Sequence, residues 1–284
     1  MEPMGSLTTF SEDDIRRTQP ALKIGLLASV TPDGLPHVTM LSTLMACAPA
    51  QLSFGQFTEG LSKKHLQANP RAGFMIMGLD RALWRGTATW TSTARHGAEY
   101  EYYNNVPMFR YNAYFGVHTV YYLDLVRHTG RHPLPMNRII LAAVQTMLAR
   151  GLGRKPGGTH VFNPWTRGFL NKLDNLKFLS YVGEDGYPVI IPAIQIQCLD
   201  AGHLVFSASV YSEELLRIPA GASLAAFGLA LTMEDVLTRG TFLGFRRMAG
   251  VRVGVLQVDW VYNPMPPVPG QVYPAQPLAA VREF

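Results

Sequence analysis

The chain has 284 residues, 48% of them hydrophobic and 16% charged, so it can fill one large or two ordinary cores and lacks the composition of a disordered protein. The formal net charge of +5 is a mild and dispersed excess, which argues against a nucleic-acid partner. Two cysteines, Cys47 and Cys198, are too few for a secreted disulfide framework. We therefore expect two reduced thiols in a cytoplasmic protein.

The first elements in chain order are β-strands. An apolar run predicts a strand over residues 23–30. The sequence Thr31-Pro32-Asp33-Gly34 ends it in a turn, because proline presets φ and glycine accepts the left-handed conformation. The chain then returns through residues 36–46, and residues 51–57 follow as a third strand.

A short helix and three further strands come next. The helix is predicted over residues 61–68, and it ends before Pro70 because proline disfavours helix in the preceding residue. Residues 72–78 and 82–91 complete a meander of five strands, and residues 117–126 form the sixth. Short strands separated by turn signals indicate a closed or nearly closed antiparallel barrel.

An aromatic insert, residues 94–116, separates the fifth and sixth strands. Its seven aromatic residues are Tyr100, Tyr102, Tyr103, Phe109, Tyr111, Tyr114 and Phe115. One interpretation is a helix-turn segment packed across the barrel. The other is a lid whose aromatic faces line a ligand pocket.

The whole pattern then recurs. Asp33-Gly34-Leu35-Pro36 returns as Asp185-Gly186-Tyr187-Pro188, and Arg85-Gly86-Thr87 returns as Arg239-Gly240-Thr241. With the first offset held, five apolar positions match without a gap: Val30 with Val182, Val38 with Ile190, Leu44 with Ile196, Leu52 with Leu204, and Phe54 with Phe206. An ordered series of matches indicates internal duplication.

The repeat and the predicted elements divide the chain into four segments. We expect a first barrel over residues 1–133, a helical connector over 134–173, a second and diverged barrel over 174–262, and a Pro-rich extended tail over 263–284. The apolar run at residues 139–149 is shorter than the roughly 20 residues of a membrane span. We expect it to pack on its own protein, and we expect no membrane partner.

Two motifs carry a family resemblance. Asp33-Gly34-x-Pro36-His37-Val38 is followed by Ser62-Lys63-Lys64-His65-Leu66 and Asn69-Pro70-Arg71. In this order they resemble the pyridoxamine-5′-phosphate-oxidase-like FMN-binding split-barrel family, well over residues 23–91 and more loosely over 176–262. The resemblance implies a mainly β (α+β) fold: two antiparallel split β-barrels in tandem, forming an intramolecular pseudo-dimer, with connecting helices.

The resemblance also implies a flavin site on the first barrel. The phosphate would be held by Thr58, Ser62, Lys63 and Lys64, and the isoalloxazine edge would lie along Thr39, Met40, Leu41 and Ser42. A helix start offers unpaired amide groups to an anion, and two lysines in a first turn oppose the helix dipole unless an anion compensates. Either lysine could be the phosphate ligand.

The second barrel lacks these cations. Ser212-Glu213-Glu214 stands in the place of Ser62-Lys63-Lys64, and carboxylates there would repel a phosphate. Single-barrel relatives are typically homodimers with the flavin at the interface. We therefore expect one flavin per chain, bound mainly by the first barrel and walled by the second.

The implied function is that of an FMN-dependent oxidoreductase, which passes a hydride between a reduced donor and a small acceptor. Trp84, Arg85 and Tyr111 are candidate substrate contacts, no catalytic acid or base is assigned, and no metal site is expected. The alternative is a non-catalytic protein that binds a flavin, F420 or haem. The partners of the enzyme would be a small-molecule substrate and an electron donor. Further association of the chain into a homo-oligomer is left open.

Overall fold

The chain forms two eight-stranded antiparallel sheets, one after the other in sequence. The computed structural model describes residues 7–57, 60–108, 116–152, 160–265 and 269–277. Contacts divide the chain into two compact units, residues 1–134 with 182–190 and residues 135–181 with 191–284. The prediction of a mainly β chain with two antiparallel units in tandem and connecting helices is confirmed. The segment boundaries predicted from sequence stay a prediction.

The elements of the first sheet and its helices follow in chain order. They are α1 (Glu12–Thr18), β1 (Lys23–Val30), β2 (Pro36–Met40), β3 (Met45–Ala48), β4 (Gln51–Gln56), α2 (Leu61–Ala68), β5 (Arg71–Gly78), β6 (Ala82–Ala94), α3 (Ala98–Asn105), β7 (Thr119–His128) and β8 (His132–Pro133).

Two helices lead to the second sheet. The remaining elements are α4 (Met136–Leu152), α5 (Pro164–Asn171), β9 (Leu176–Val182), β10 (Pro188–Pro192), β11 (Gln197–Cys198), β12 (His203–Ser207), α6 (Ser212–Leu215), β13 (Ser223–Leu229), β14 (Asp235–Met248), β15 (Val251–Asn263) and β16 (Gly270–Tyr273).

The strand order corrects the predicted meander. The first sheet runs β2-β1-β5-β6-β7-β4-β3, with β8 beside β6. Thus β5 pairs with β1, where Lys23 is opposite Gly78, and not with the preceding strand β4. The meander prediction is wrong because the connection through α2 carries the chain from β4 past β7 and β6 to the position beside β1, where β5 begins.

The second sheet repeats this order as β10-β9-β13-β14-β15-β12-β11. The first turn is the same in both sheets. Gly34 and Gly186 each have φ +77°, a conformation that favours glycine, and their amides donate to Thr31 O at 2.9 Å and Gly183 O at 2.8 Å. The sequence repeat therefore coincides with a repeat of backbone geometry.

Helix α1 closes the core of the first unit. Ser11 caps it in a reciprocal capping box with Asp14. The other oxygen of the Asp14 carboxylate accepts a 2.7 Å hydrogen bond from the Trp84 indole, which is 1% exposed. Apolar side chains from the strands fill the space beneath, including Leu27, Leu44, Phe54, Phe74 and Ile76.

The described part of the aromatic insert packs on the sheet. Tyr103 of α3 is 1% exposed, and its hydroxyl lies 2.8 Å from Ser53 Oγ on β4. Burial raises the pKa of Tyr103 well above its usual value. This placement favours the packed helix over the lid for residues 98–105. Phe109, Tyr111, Tyr114 and Phe115 lie outside the described residues.

Both thiols are free, as expected. Burial raises the pKa of Cys47 to about 11 and that of Cys198 to about 12, so neither forms a thiolate at neutral pH. Among the helices described, none combines the length and the apolar character that spanning a membrane demands.

A buried carboxyl group begins β14. Asp235 is 8% exposed, and within the described residues its Oδ1 has no hydrogen-bond partner. Burial raises its pKa to about 7. The folded chain therefore holds a proton there that the unfolded chain, with a pKa near 3.8, has already released.

This difference predicts a pH-dependent stability. Because the folded state binds the extra proton, the free energy of unfolding should fall as pH rises from about 4 to about 7, and then level off. Asp235→Asn should remove that fall and be more stable than wild type above pH 7, by up to about 4 kcal/mol. Denaturant titrations across this range measure it, with the exposed Asp174→Asn as control. Equal slopes for wild type and Asp235→Asn would contradict the assignment.

The stacked pair Phe54 and Tyr121 gives a second prediction. The rings are 4.9 Å apart, and Phe54 is fully buried. Phe54→Ala should lower the free energy of unfolding of the first unit by about 3–5 kcal/mol through lost contacts and a cavity. Leu79→Ala, at a residue 78% exposed, should change it by less than about 0.5 kcal/mol. Urea unfolding followed by fluorescence tests both, and a wild-type midpoint for Phe54→Ala would refute the core assignment.

Candidate functional site

Helix α2 begins without a side-chain cap. Its N-cap residue is Gly60, and its first turn contains no acidic residue. In contrast, Ser11 caps α1 and Asn163 caps α5 through side-chain oxygens. The start of α2 therefore has the positive end of the helix dipole and amide groups that no cap side chain satisfies.

Two hydroxyl groups meet at this helix start. Thr39, near the end of β2, hydrogen-bonds through Oγ1 to Oγ of Ser62 in the first turn of α2. Ser62 is 2% exposed, whereas Thr39 is partly exposed. The contact joins two predicted cofactor residues that are 23 positions apart in sequence.

The two lysines differ in placement. Lys63 is 9% exposed, and its Nζ lies 3.9 Å from the position that a Cβ on Gly60 would occupy. Its ammonium group therefore lies at the helix start. Lys64 is exposed. Of the predicted phosphate residues, the structure brings Ser62 and Lys63 together at one end of α2, and Thr58 lies outside the described residues.

The predicted ring-binding residues form a partly exposed strip after His37 and Val38. They are Thr39, Met40, Leu41 and Ser42. The Leu41 amide donates to Gly25 O at 2.8 Å, and a Cβ on Gly25 would lie 2.3 Å from Leu41 O. Glycine is thus required for β1 to approach the strip this closely. The next residue, Thr43, is buried and bonded to the Gly55 backbone, which fixes the far end of the strip.

A histidine pair beside the site was missed by the sequence analysis. His37 and His65 are 2% and 8% exposed, and their rings meet edge to face at 4.9 Å. His65 Nδ1 lies 3.2 Å from Ser29 Oγ. The available signal was the spacing: His37 is two residues before Thr39 on a strand, and His65 is three after Ser62 on a helix. Both spacings place the side chains on one face.

Two of the predicted substrate residues, Trp84 and Arg85, are not part of this cluster. Trp84 is buried and bonded to Asp14. Arg85 is 3% exposed and donates from Nη1 to Ile190 O at 3.0 Å. These contacts indicate that both side chains support the fold of the first unit. Tyr111 lies outside the described residues.

Among the clefts that described residues line on the first unit are two that include neither Thr39 nor Ser62. One, of about 710 Å³, lies between α1 and the start of β6. The other, of about 630 Å³, lies at the C-terminal end of α2. In the second cleft, the guanidinium of Arg71 lies 5.6 Å from the ring centre of Tyr187, whose hydroxyl is 2.8 Å from Thr89 Oγ1.

The corresponding positions of the second unit have different chemistry. Helix α6 has only four residues, and its first turn contains Glu213 and Glu214. On the strand, Ile191 and Ile194 stand at the places of Thr39 and Ser42, and both are buried. The cations and the strand hydroxyls have therefore been replaced together.

Across the ranges that the structure describes, no three His, Cys, Asp or Glu side chains gather in the manner of metal ligands.

Comparison with known proteins gives only distant structural likenesses. No protein-family model and no curated protein matches the chain. An FMN-binding protein from Syntrophomonas wolfei is 11% identical with a TM-score of 0.35, covering 43% of this chain and 88% of its own. HupZ from Group A Streptococcus is 15% identical with a TM-score of 0.34, covering 42% and 91%. The styrene monooxygenase flavin reductase from Pseudomonas putida S12 is 12% identical with a TM-score of 0.26, covering 39% and 91%. At this level the likenesses assign no function.

Proposed function

We propose that the first unit binds flavin mononucleotide, with the phosphate at the start of α2. The observation that carries this proposal is the uncapped helix start, where the Thr39–Ser62 hydroxyl pair and the Lys63 ammonium meet. Helix starts with free amide groups and nearby cations bind phosphate. The motif resemblance to FMN-binding split barrels supports a flavin as the bearer of that phosphate.

The residues present fit such a group. A phosphate dianion would offset the cost of placing Lys63 and Lys64 at the positive end of the helix dipole, about 0.3–1 kcal/mol for each charge. Among the described residues, Lys63 Nζ is the one atom within 4 Å of where a Cβ on Gly60 would be, which leaves the approach open. The hydroxyl groups of Thr39 and Ser62 supply neutral hydrogen-bond donors beside the charge.

The strip Thr39–Ser42 would hold the ring system. Its residues are partly exposed, whereas Val38 and Thr43 on either side are buried. The fixed backbone at Leu41 would position the flavin without rearrangement of the sheet. His37 and His65 would act indirectly, by packing behind the Thr39–Ser62 contact and fixing the distance between β2 and α2.

We further propose that the chain is an oxidoreductase of the pyridoxamine-phosphate-oxidase-like class. Bound FMN would supply hydride transfer between a reduced donor and a small acceptor. The chain's own part is to bind the phosphate, orient the ring along the strip and keep water from one of its faces. No side chain of the site is assigned as a proton donor or acceptor. The alternative is a non-catalytic carrier of a flavin, F420 or haem.

The second unit supplies an internal contrast. With Glu213 and Glu214 at its helix start and Ile191 on its strand, it has no comparable attraction for phosphate. We therefore propose one flavin per chain, bound by the first unit. The predicted pseudo-dimer within the chain stays a prediction.

The phosphate contact predicts a difference between FMN and riboflavin. Wild type should bind FMN at least about tenfold more tightly than riboflavin, because charge-assisted contacts contribute about 1.5–3 kcal/mol each. Lys63→Ala/Lys64→Ala should lose that preference while its riboflavin affinity is unchanged. Flavin-fluorescence titration measures both, with one FMN per chain at saturation.

The matched control is Glu213→Ala/Glu214→Ala, at the corresponding turn of the second unit, which should leave FMN affinity unchanged. Equal FMN and riboflavin affinities in wild type would refute the phosphate site. Two FMN per chain would refute the single-site proposal. A colourless protein that ignores added FMN would refute flavin binding, and F420 and haem would then be titrated.

A measurement of turnover distinguishes the oxidoreductase from the non-catalytic carrier. In an anaerobic cuvette, an enzyme should lose its flavin absorbance band on addition of NADH or NADPH and regain it when an acceptor is added. A carrier should hold the oxidised band with both donors, while free FMN reduced by dithionite serves as the reference. Retention of the band would count against the oxidoreductase and leave the binding site untouched.

A further inference from the structure

Helix α4 exposes a continuous apolar face. Six large apolar side chains of this 17-residue helix are between 48% and 77% exposed. They are Ile140, Leu141, Val144, Met147, Leu148 and Leu152. At about 100° per residue they occupy an arc of about 140°, which is the width of a stripe that normally faces a protein core. We call these six residues the α4 stripe.

The opposite face of the helix is held firmly by the second sheet. Ile139, Ala142, Thr146 and Ala149 are buried, and α4 contacts β12 and β15. Thr146 Oγ1 accepts a 2.9 Å hydrogen bond from the Ser207 amide. The α4 stripe is therefore presented by an anchored helix. The helix packs on its own protein, as the sequence predicted, and it does so through this face.

Positive charges border the α4 stripe on both sides. Residues 136–152 contain no aspartate or glutamate, and their two charged residues are Arg138 and Arg150. The helical wheel places one arginine at each edge of the stripe. The hydrogen-bond acceptors that the structure describes for them are uncharged, namely Ser209 O for Arg138 and Gln197 Oε1 for Arg150.

We propose that the α4 stripe docks on an anionic lipid bilayer and lies in its interface. Apolar side chains on one face with arginines at its edges match a helix that enters the headgroup boundary sideways. Arg138, which is exposed, would extend towards lipid phosphates while the stripe enters the acyl region, and the half-buried Arg150 would add positive charge at the other edge. The α4 stripe shares no residue with the proposed flavin site, and the proposal does not depend on that function.

A second helix could add an aromatic anchor. Trp165 of α5 is 41% exposed, and α5 contacts the same strand, β11, that α4 contacts. Tryptophan is enriched at the boundary between lipid and water. Arg167, exposed on the same short helix, adds a cation and no acidic residue opposes it within residues 164–171.

Charge disfavours a second copy of the chain as the occupant. If two α4 stripes faced each other in antiparallel orientation, Arg138 of each helix would approach Arg150 of the other. In parallel orientation like residues would meet. Neither arrangement offers an acidic side chain from this helix to compensate, and like charges opposite each other destabilise an interface.

The test uses the full chain and sedimentation with vesicles. Wild type should sediment with vesicles of phosphatidylcholine containing about one-third phosphatidylglycerol, and much less with phosphatidylcholine alone. Leu141→Gln/Val144→Ser/Leu148→Gln should reduce the bound fraction at least about tenfold. Arg138→Gln should weaken the preference for the anionic vesicles. The matched control is Leu231→Gln/Leu243→Gln, at exposed leucines elsewhere in the second unit.

Circular dichroism and the unfolding midpoint verify that each variant is folded. If the triple variant is misfolded, Leu148→Glu alone is measured, and it should also lose vesicle binding, because a carboxylate opposes both burial in the acyl region and attraction to anionic lipid. Sedimentation of the triple variant equal to wild type, or no sedimentation of wild type, would overturn the proposal. Light scattering that shows a dimer dissociated by the triple variant would identify a second copy as the occupant, and would overturn it too.

Discussion

The structure of the first unit depends on β1 being paired along both edges. It bonds to β2 through Leu26–Val30 and to β5 through Lys23–Ala28. Since β4 lies three strands away from β5, the chain must cross the sheet between them, and α2 makes that crossing in contact with β1 and β2. The crossing is what sets the start of α2 against the end of β2. The candidate site is therefore a consequence of strand order.

The first turns of α1 and α2 differ in charge: α1 follows the usual electrostatic preferences of a helix, and α2 departs from them. Helix α1 has a serine cap, acidic residues in its first turn and arginines in its last, all of which favour a helix. Helix α2 has no side-chain cap and two lysines in its first turn. Departures from these preferences are expected at functional sites. At the start of α2, a bound anion would compensate for the positive charge of the two lysines. The acidic turn of the second unit shows that the lysines are not required to build this type of sheet.

Local sequence signals predicted the elements better than their partners. The bounds of β1 and α2 agree with the expected residues 23–30 and 61–68, since a turn with proline and glycine ends the strand and Pro70 ends the helix. Pairing of β5 with β1 could not be predicted from these signals, because hydrogen bonds between distant strands leave no local pattern. Helix α4 packs on its own protein, as the sequence predicted, but hydropathy does not say which of its faces protein covers. Thr39 and Ser62 were predicted from the family resemblance. The buried pair His37 and His65 could have been predicted only by knowing that β2 faces α2.

The first compact unit includes residues 182–190, which are translated long after the rest of that unit. Among them is Ile190, whose carbonyl accepts a hydrogen bond from the buried Arg85 guanidinium, and Asp185, which pairs with Arg127. During synthesis at about 5–20 residues per second, the 56 residues after Leu134 take roughly 3–11 s to add. Throughout that interval the nascent first unit lacks these two contacts. Completion of its fold is thus timed by translation of residues 135–190.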